Sequence, residues 1–211
     1  MENKKDISKI LKDIEESEAF KSQRKLLEEK RKTLKPGPNV IHLDYSGQYT
    51  TEELKTISDI LNLNDLELSS YDRSGIIMNS VDDFIGYTIV VLNTPIVQNI
   101  LKDVVKNTAW ETIKLAFTKI LLLSKNRVTK KVSTNEIKES NIKIAISCKT
   151  NTNNEYRFDF EGITNESEID GILDKTLVFL SEQTKNDEYC LPEKVEFSKK
   201  KQKWVKKNKK K

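Results

Sequence analysis

The clearest pattern in the chain is an alternation of apolar and polar residues between residues 142 and 160. Ile144, Ile146 and Cys148 alternate with polar or small residues, and Tyr156 and Phe158 do the same after a turn-like segment. Period-two alternation on both sides of a turn is typical of a β-hairpin with one buried face. The pattern therefore predicts a hairpin of residues 142–148 and 155–160, with Cys148 opposite Tyr156 so that both apolar sets share one face.

Other apolar stretches predict the remainder of a sheet and its covering helices. The most apolar of them, residues 84–92, is rich in β-branched side chains and is expected to be a buried central strand. Thr50 and Glu53 have the spacing of a capping box, which predicts the start of a helix. The further expected elements are strands at 40–45 and 66–71, an amphipathic helix at 166–184 and a polar loop at 126–140.

Residues 95–123 have a helical pattern whose apolar side changes partway along. The first apolar side is centred near Ile100 and the second near Ile113, roughly opposite it at about 100° per residue. Asn107 and Thr108 lie between them. The segment is therefore either two helices with a break at this point or one helix that is covered on both sides.

Residues 84–101 contain no charged side chain. The length of this uncharged run is at the lower limit for a membrane-spanning helix. Asn93, Pro95 and Gln98 interrupt this run, and such polar residues are costly in hydrocarbon. We expect no transmembrane span.

The N-terminal residues 4–34 are expected to be helical, because they lack glycine and proline and are followed by Pro36 and Pro38. Their apolar residues form two stripes roughly 150° apart, so the helix either breaks between them or lies between two partners. The predicted partner contacts are Ile7, Leu11 and Ile14 in the first stripe, and Phe20 and Leu27 in the second.

These elements together predict an α+β fold, with a small mixed or antiparallel sheet of about five strands packed by amphipathic helices. The expected domain covers residues 39–185. A charged helical extension at 1–35 precedes it, and a lysine-rich tail at 193–211, expected to be disordered, follows it.

The charge of the chain is concentrated in this tail. Residues 193–211 contain ten lysines and two glutamates, a net charge of +8, which leaves about −4 for residues 1–192 out of the whole chain's +4. Such a tail neutralises phosphates by counterion release, and Trp204 within it is a candidate for stacking on a base. The alternatives are contact with anionic lipid, a nuclear address or a tail that only improves solubility. The predicted polyanion contacts are Lys199, Lys200, Lys201, Lys203, Trp204, Lys206, Lys207, Lys209, Lys210 and Lys211.

Chemical motifs are sparse in this sequence. It contains no dinucleotide-binding or P-loop glycine motif, no metalloprotease helix motif and no calcium-binding loop motif, and we expect no cofactor or metal. His42 is the single histidine, and it lies with Asp44 on the same face of a strand, so these two residues are one candidate for a catalytic site. The adjacent Asp82 and Asp83 are a second candidate. The absence of an N-terminal apolar signal and of a CxxC pair predicts a cytoplasmic chain with reduced cysteines.

The sequence thus favours a non-enzymatic interaction or accessory module. It would bind a protein partner or a second copy of itself through the N-terminal helix, and polyanions through the tail. The alternative is a sequence-independent nucleic-acid-binding accessory protein that uses the tail and the basic stretch at 24–35. A lesser alternative is an enzyme whose site forms no linear motif.

Overall fold

The structure is a computed structural model that describes most of the chain between residues 18 and 207. The described residues are 18–74, 87–102, 107–125, 127–132, 137–150, 154–160, 166–183 and 193–207. The helices are α1 (Glu18–Arg31), α2 (Thr51–Asn62), α3 (Thr94–Lys102), α4 (Thr108–Ser124) and α5 (Glu166–Gln183). The strands are β1 (Val40–Tyr45), β2 (Glu67–Asp72), β3 (Tyr87–Leu92), β4 (Val128–Val132), β5 (Ile137–Asn141), β6 (Lys143–Lys149), β7 (Glu155–Asp159), β8 (Glu193–Ser198) and β9 (Lys203–Lys206).

Seven strands form one mixed sheet in the order β2-β1-β3-β6-β7-β8-β9, and β4 and β5 form a separate ribbon. The α+β class is therefore confirmed, with five helices and a mixed sheet in the described part of the chain. Three strand pairs are parallel: β1 with β2, β3 with β6, and β7 with β8. Parallel neighbours need a crossover connection. Helix α2 lies in the first of these connections along the chain, and α5 lies in the last.

One face of the sheet carries the main core. The apolar sides of α2 to α5 pack there against alternate strand residues such as Leu43, Val90, Ile146 and Phe158. Ile146 and Phe158 are opposite each other on β6 and β7, and both are 0% exposed. Cys148 pairs with Tyr156 on the same two strands. The opposite face carries the residues between them, which include a small second apolar cluster of Tyr87, Ile89 and Ala145 at the centre of the sheet.

Side chains at the helix starts explain where the helices begin. At α2, the Glu53 amide donates to Thr50 Oγ1 at 3.3 Å and the Thr50 amide donates to Glu53 Oε2 at 2.9 Å. The Asn93 side chain accepts a hydrogen bond from the Ile96 amide at the start of α3, at 3.1 Å. Asn107 does the same for α4, accepting from the Trp110 amide at 3.1 Å. These bonds satisfy amides that have no partner within their own helix.

The region 95–123 contains two helices, α3 and α4. Ile100 of α3 and Ile113 of α4 are both buried in the main core. Two separate helices can each turn their apolar side to the same sheet, which a single straight helix with opposed stripes cannot do. Within the described residues, no helix is long and apolar enough to cross a membrane.

The C-terminal segment differs most from expectation. Residues 193–207 are not a disordered tail, because β8 and β9 extend the sheet from about five strands to seven. The polar residues 126–140 also differ from the expected loop, because β4 and β5 pair within them. In the C-terminal case the physical reason is burial: Val195 is 0% exposed and Trp204 is 3% exposed, so both belong to the core.

Candidate polyanion-binding surface

Residues 193–207, which we call the lysine hairpin, form the most basic described surface feature. Strand β9 pairs antiparallel with β8, with Phe197 opposite Trp204 and Ser198 opposite Lys203. Residues 199–202 make the turn. The Lys201 amide donates to the Ser198 carbonyl at 3.1 Å, and the side chain of Gln202 donates to the Lys199 carbonyl at 2.8 Å. These bonds hold the turn in one conformation.

Trp204 anchors the lysine hairpin to the domain. Its ring centroid lies 5.0 Å from that of Phe158, 5.2 Å from that of Phe160 and 5.4 Å from that of Phe197. Its indole Nε1 donates to the carbonyl of Ile172 in α5 at 3.2 Å. In the folded hairpin the ring of Trp204 is 3% exposed and enclosed by core residues, so it is not presented for the predicted contact with a nucleic-acid base.

The structure brings six of the predicted lysines together on this hairpin, and all six are exposed: Lys199, Lys200, Lys201, Lys203, Lys206 and Lys207. Glu196 on β8 lies 3.5 Å from Lys207, so its negative charge is balanced by that lysine. The tip of the hairpin therefore presents exposed lysines on a turn that is closed by hydrogen bonds. Lys209, Lys210 and Lys211 lie outside the described residues.

One further lysine beside the hairpin was missed by the sequence reasoning. Lys175 of α5 places Nζ 3.3 Å from Gln202 Oε1 and 5.3 Å from the centre of the Phe197 ring. Lys175 is far from the lysine cluster in sequence, and no local pattern connects the two. A weaker signal for the hairpin itself was present, since Val195 and Phe197 alternate with polar residues as in a strand.

The predicted N-terminal partner contacts are only partly described. Ile7, Leu11 and Ile14 lie outside the described residues, as does the side chain of Phe20 within α1. Leu27 is half-buried. Lys30 near the end of α1 joins this helix to the end of β2, where its Nζ donates to the Asp72 carbonyl at 2.8 Å and the Ser74 carbonyl at 2.6 Å.

The candidate catalytic residues of β1 lie on the sheet face away from the main core. Asp44 Oδ1 is 2.5 Å from Arg73 Nε, so this carboxylate is paired. Burial raises the pKa of Asp44, and Arg73 partly offsets that effect. Burial also lowers the pKa of His42, with a further contribution from the charge of Lys149. His42 Nδ1 is buried and has no hydrogen-bond partner in the described part of the chain.

An activated nucleophile requires a base that is held by an orienting hydrogen bond. In the described part of the chain, no such bond reaches Nδ1 of His42. Asp82 and Asp83 lie outside the described residues. Over the described ranges, no group of three or more histidine, cysteine or acidic side chains is placed to hold a metal ion.

A second charged cluster joins α4 to α5. Lys114 is 6% exposed, and its Nζ lies 2.9 Å from Glu111, 2.9 Å from Asp170 and 3.0 Å from Asp174. Burial alone would lower the pKa of Lys114, but hydrogen bonds to the three carboxylates raise it well above its usual range. The indole of Trp110 also donates to Asp174 at 3.2 Å. These contacts satisfy the buried ammonium and fix the two helices against each other.

No protein-family model, curated protein sequence or solved structure matches this chain.

Proposed function

We propose that this chain is a non-enzymatic accessory module of the cytoplasm that binds nucleic acid through its lysine hairpin. The contact is with the phosphate backbone and does not depend on base sequence. The observation that supports the proposal best is the turn at 199–202, where three consecutive exposed lysines are carried on a hairpin fixed to the core. Lysines held on a rigid element keep their charges close together, which favours the release of counterions from a polyanion.

The aromatic residues of the hairpin support backbone contact over base stacking. Trp204 is enclosed by the core, and Phe197 packs against it. Proteins that bind single strands by stacking need exposed aromatic rings. We therefore expect phosphate contacts without base recognition.

Lysines also protect exposed edge strands from pairing with other chains, and β9 is the last strand in the sheet order. This purely protective role predicts no affinity for polyanions beyond that of other surface lysines. The position of the charges separates the two roles, because Lys199, Lys200 and Lys201 lie in the turn and not on the edge strand.

The test compares two triple variants with the wild-type chain. One replaces Lys199, Lys200 and Lys201 by glutamine. The control replaces three exposed lysines elsewhere, at positions 55, 102 and 125, and therefore removes the same charge. Fluorescence anisotropy with a labelled random-sequence DNA duplex measures the dissociation constant over a range of salt concentrations.

We expect the turn variant to bind more weakly and to lower the slope of log K against log salt by roughly 2.7, about 0.9 for each lost phosphate contact. The control should retain most of the affinity. Equal losses in the two variants, or no duplex binding by the wild type, would contradict the proposal. Binding only to vesicles of phosphatidylserine and phosphatidylcholine would point instead to a lipid surface.

A protein partner at the N-terminal helix is the second candidate function. It is favoured by α1, which bonds to the end of β2 through Lys30 and carries the half-buried Leu27. Light scattering and pull-down with and without residues 1–35 test it. Unchanged mass and unchanged partners would count against it. An enzymatic role of the His42 face is a lesser alternative.

A further inference from the structure

We infer that Lys175 of α5 is a further phosphate-contact residue of the lysine hairpin and that Gln202 positions it. The inference depends on the proposed binding of nucleic acid by the hairpin. It extends the surface from one local stretch of sequence to a composite of the hairpin and a helix.

The first observation is the fixed place of the Lys175 ammonium. Its Nζ is 3.3 Å from Gln202 Oε1 and 5.3 Å from the centre of the Phe197 ring. A hydrogen bond and a cation–π contact together restrict a side chain that otherwise has many rotamers. A lysine that is already restricted loses less conformational freedom when it meets a phosphate, which favours binding.

The second observation is the unusual residue in the turn. Gln202 has a φ of 50°, in the left-handed region that glycine or asparagine usually occupies at the end of such a hairpin turn. Its amide nitrogen donates to the Lys199 carbonyl, while its amide oxygen faces Lys175. A glycine would relieve the backbone but would remove both contacts. The side chain of Gln202 thus links the lysine turn to α5.

The charge around Lys175 is also suitable for an anion. Its neighbour Asp174 lies 3.0 Å from Lys114 Nζ, so that carboxylate is already paired, at a position about 100° around the helix from Lys175. The next residue, Thr176, is fully buried, which fixes the rotation of α5 about its axis. Lys175 therefore faces the hairpin while the acidic residue beside it faces α4.

The experiment measures duplex affinity and its salt dependence for single variants of the full chain. Lys175→Gln is compared with Lys200→Gln in the turn and with Lys55→Gln, an exposed lysine on α2 that serves as the control. We expect Lys175→Gln to weaken binding as much as Lys200→Gln and to lower the salt slope by about 0.9. Lys55→Gln should bind as the wild type does. Thermal unfolding of each variant verifies that the fold is retained.

Gln202 is tested through its dependence on Lys175. We expect Gln202→Ala to weaken binding more in the wild type than in the Lys175→Gln background, because the part of its effect that acts through Lys175 is absent there, while the part that acts through the Lys199 carbonyl remains. Gln202→Gly removes the same side chain without backbone strain and should behave alike. If Gln202→Gly is more stable than the wild type yet still binds the duplex weakly, a merely structural role of the Gln202 side chain is excluded.

The outcomes separate this inference from the proposal on which it depends. If the wild type binds no duplex, or Lys200→Gln is without effect, the proposed function fails. If the wild type binds and Lys200→Gln weakens it while Lys175→Gln retains full affinity and slope, the proposed function stands and the role of Lys175 is overturned. Additive losses in the double variant would overturn the positioning role of Gln202.

Discussion

Replacement of Trp204 by alanine tests the central structural finding, that the lysine-rich C-terminal segment is part of the core. The indole is 3% exposed, lies within about 5.5 Å of three other aromatic rings and donates a hydrogen bond to the Ile172 carbonyl. If the segment were a disordered tail, the substitution would leave the free energy of unfolding unchanged.

The expected magnitude follows from these contacts. Truncation of a buried tryptophan to alanine costs about 3–5 kcal/mol through lost burial and the cavity left behind. Trp204→Phe keeps an aromatic ring but leaves the Ile172 carbonyl without its donor, which costs about 1–3 kcal/mol. A domain of this kind has a total stability of about 5–15 kcal/mol, so Trp204→Ala removes a large part of it.

Urea unfolding followed by far-ultraviolet circular dichroism measures both variants, since this signal does not depend on tryptophan emission. Lys200→Ala in the same hairpin is the control and should change stability by less than about 0.5 kcal/mol, because its side chain is exposed. A loss below about 1 kcal/mol for Trp204→Ala would refute the placement of this ring in the core.

This prediction also determines how the binding experiments must be designed. Deletion of residues 193–211 would remove two strands and Trp204 together, so a loss of binding could follow from unfolding alone. Substitution of the exposed turn lysines leaves the core residues in place.

Three further predictions concern single side chains. His42 is the only histidine, so its imidazole gives one NMR titration, and we expect a midpoint below the usual 6.5. A lowered pKa in the folded state means that folding disfavours the charged imidazole. The stability that His42 contributes is therefore present above pH 6.5 and is lost as the pH falls from there towards the folded-state pKa. A midpoint above 6.5 would contradict this. Lys114→Met should lower the free energy of unfolding by about 1.5–3 kcal/mol, since three carboxylates lose their buried cation, and an unchanged urea midpoint would show that the cluster contributes nothing. Cys148 is 0% exposed and burial raises the pKa of its thiol, so in a Cys190→Ser variant it should react with a thiol reagent only after unfolding; rapid reaction of the native chain would refute its burial.

Local sequence patterns predicted many of the individual helices and strands. The apolar residues of 142–160 alternate with period two, and Ile146 and Phe158 both lie on the helix-covered face of the sheet. The Thr50–Glu53 spacing forms a reciprocal capping pair at the start of α2. The alternation and the capping pair each depend on residues that are close together in the sequence, so both can be predicted from the sequence alone.

Local patterns predicted only part of the candidate polyanion-binding surface. The lysines of 199–207 were evident from composition, but their attachment to a folded hairpin was not. Lys175 and Gln202 are separated by 27 residues, and their contact depends on how α5 packs beside β9. The ion cluster of Lys114 likewise joins α4 to residues on α5, and no local pattern indicates it.

The sequence by itself determined the α+β class, the position of most apolar faces and the concentration of positive charge at the C-terminal end. The tertiary structure decided whether that charged end is folded. Val195, Phe197 and Trp204 are too few to stabilise an isolated two-stranded hairpin in water. They become buried only because β7, Phe160 and α5 already provide an apolar surface beside which β8 and β9 can pair. Burial against distant residues therefore outweighs the local preference of a lysine-rich segment for solvent.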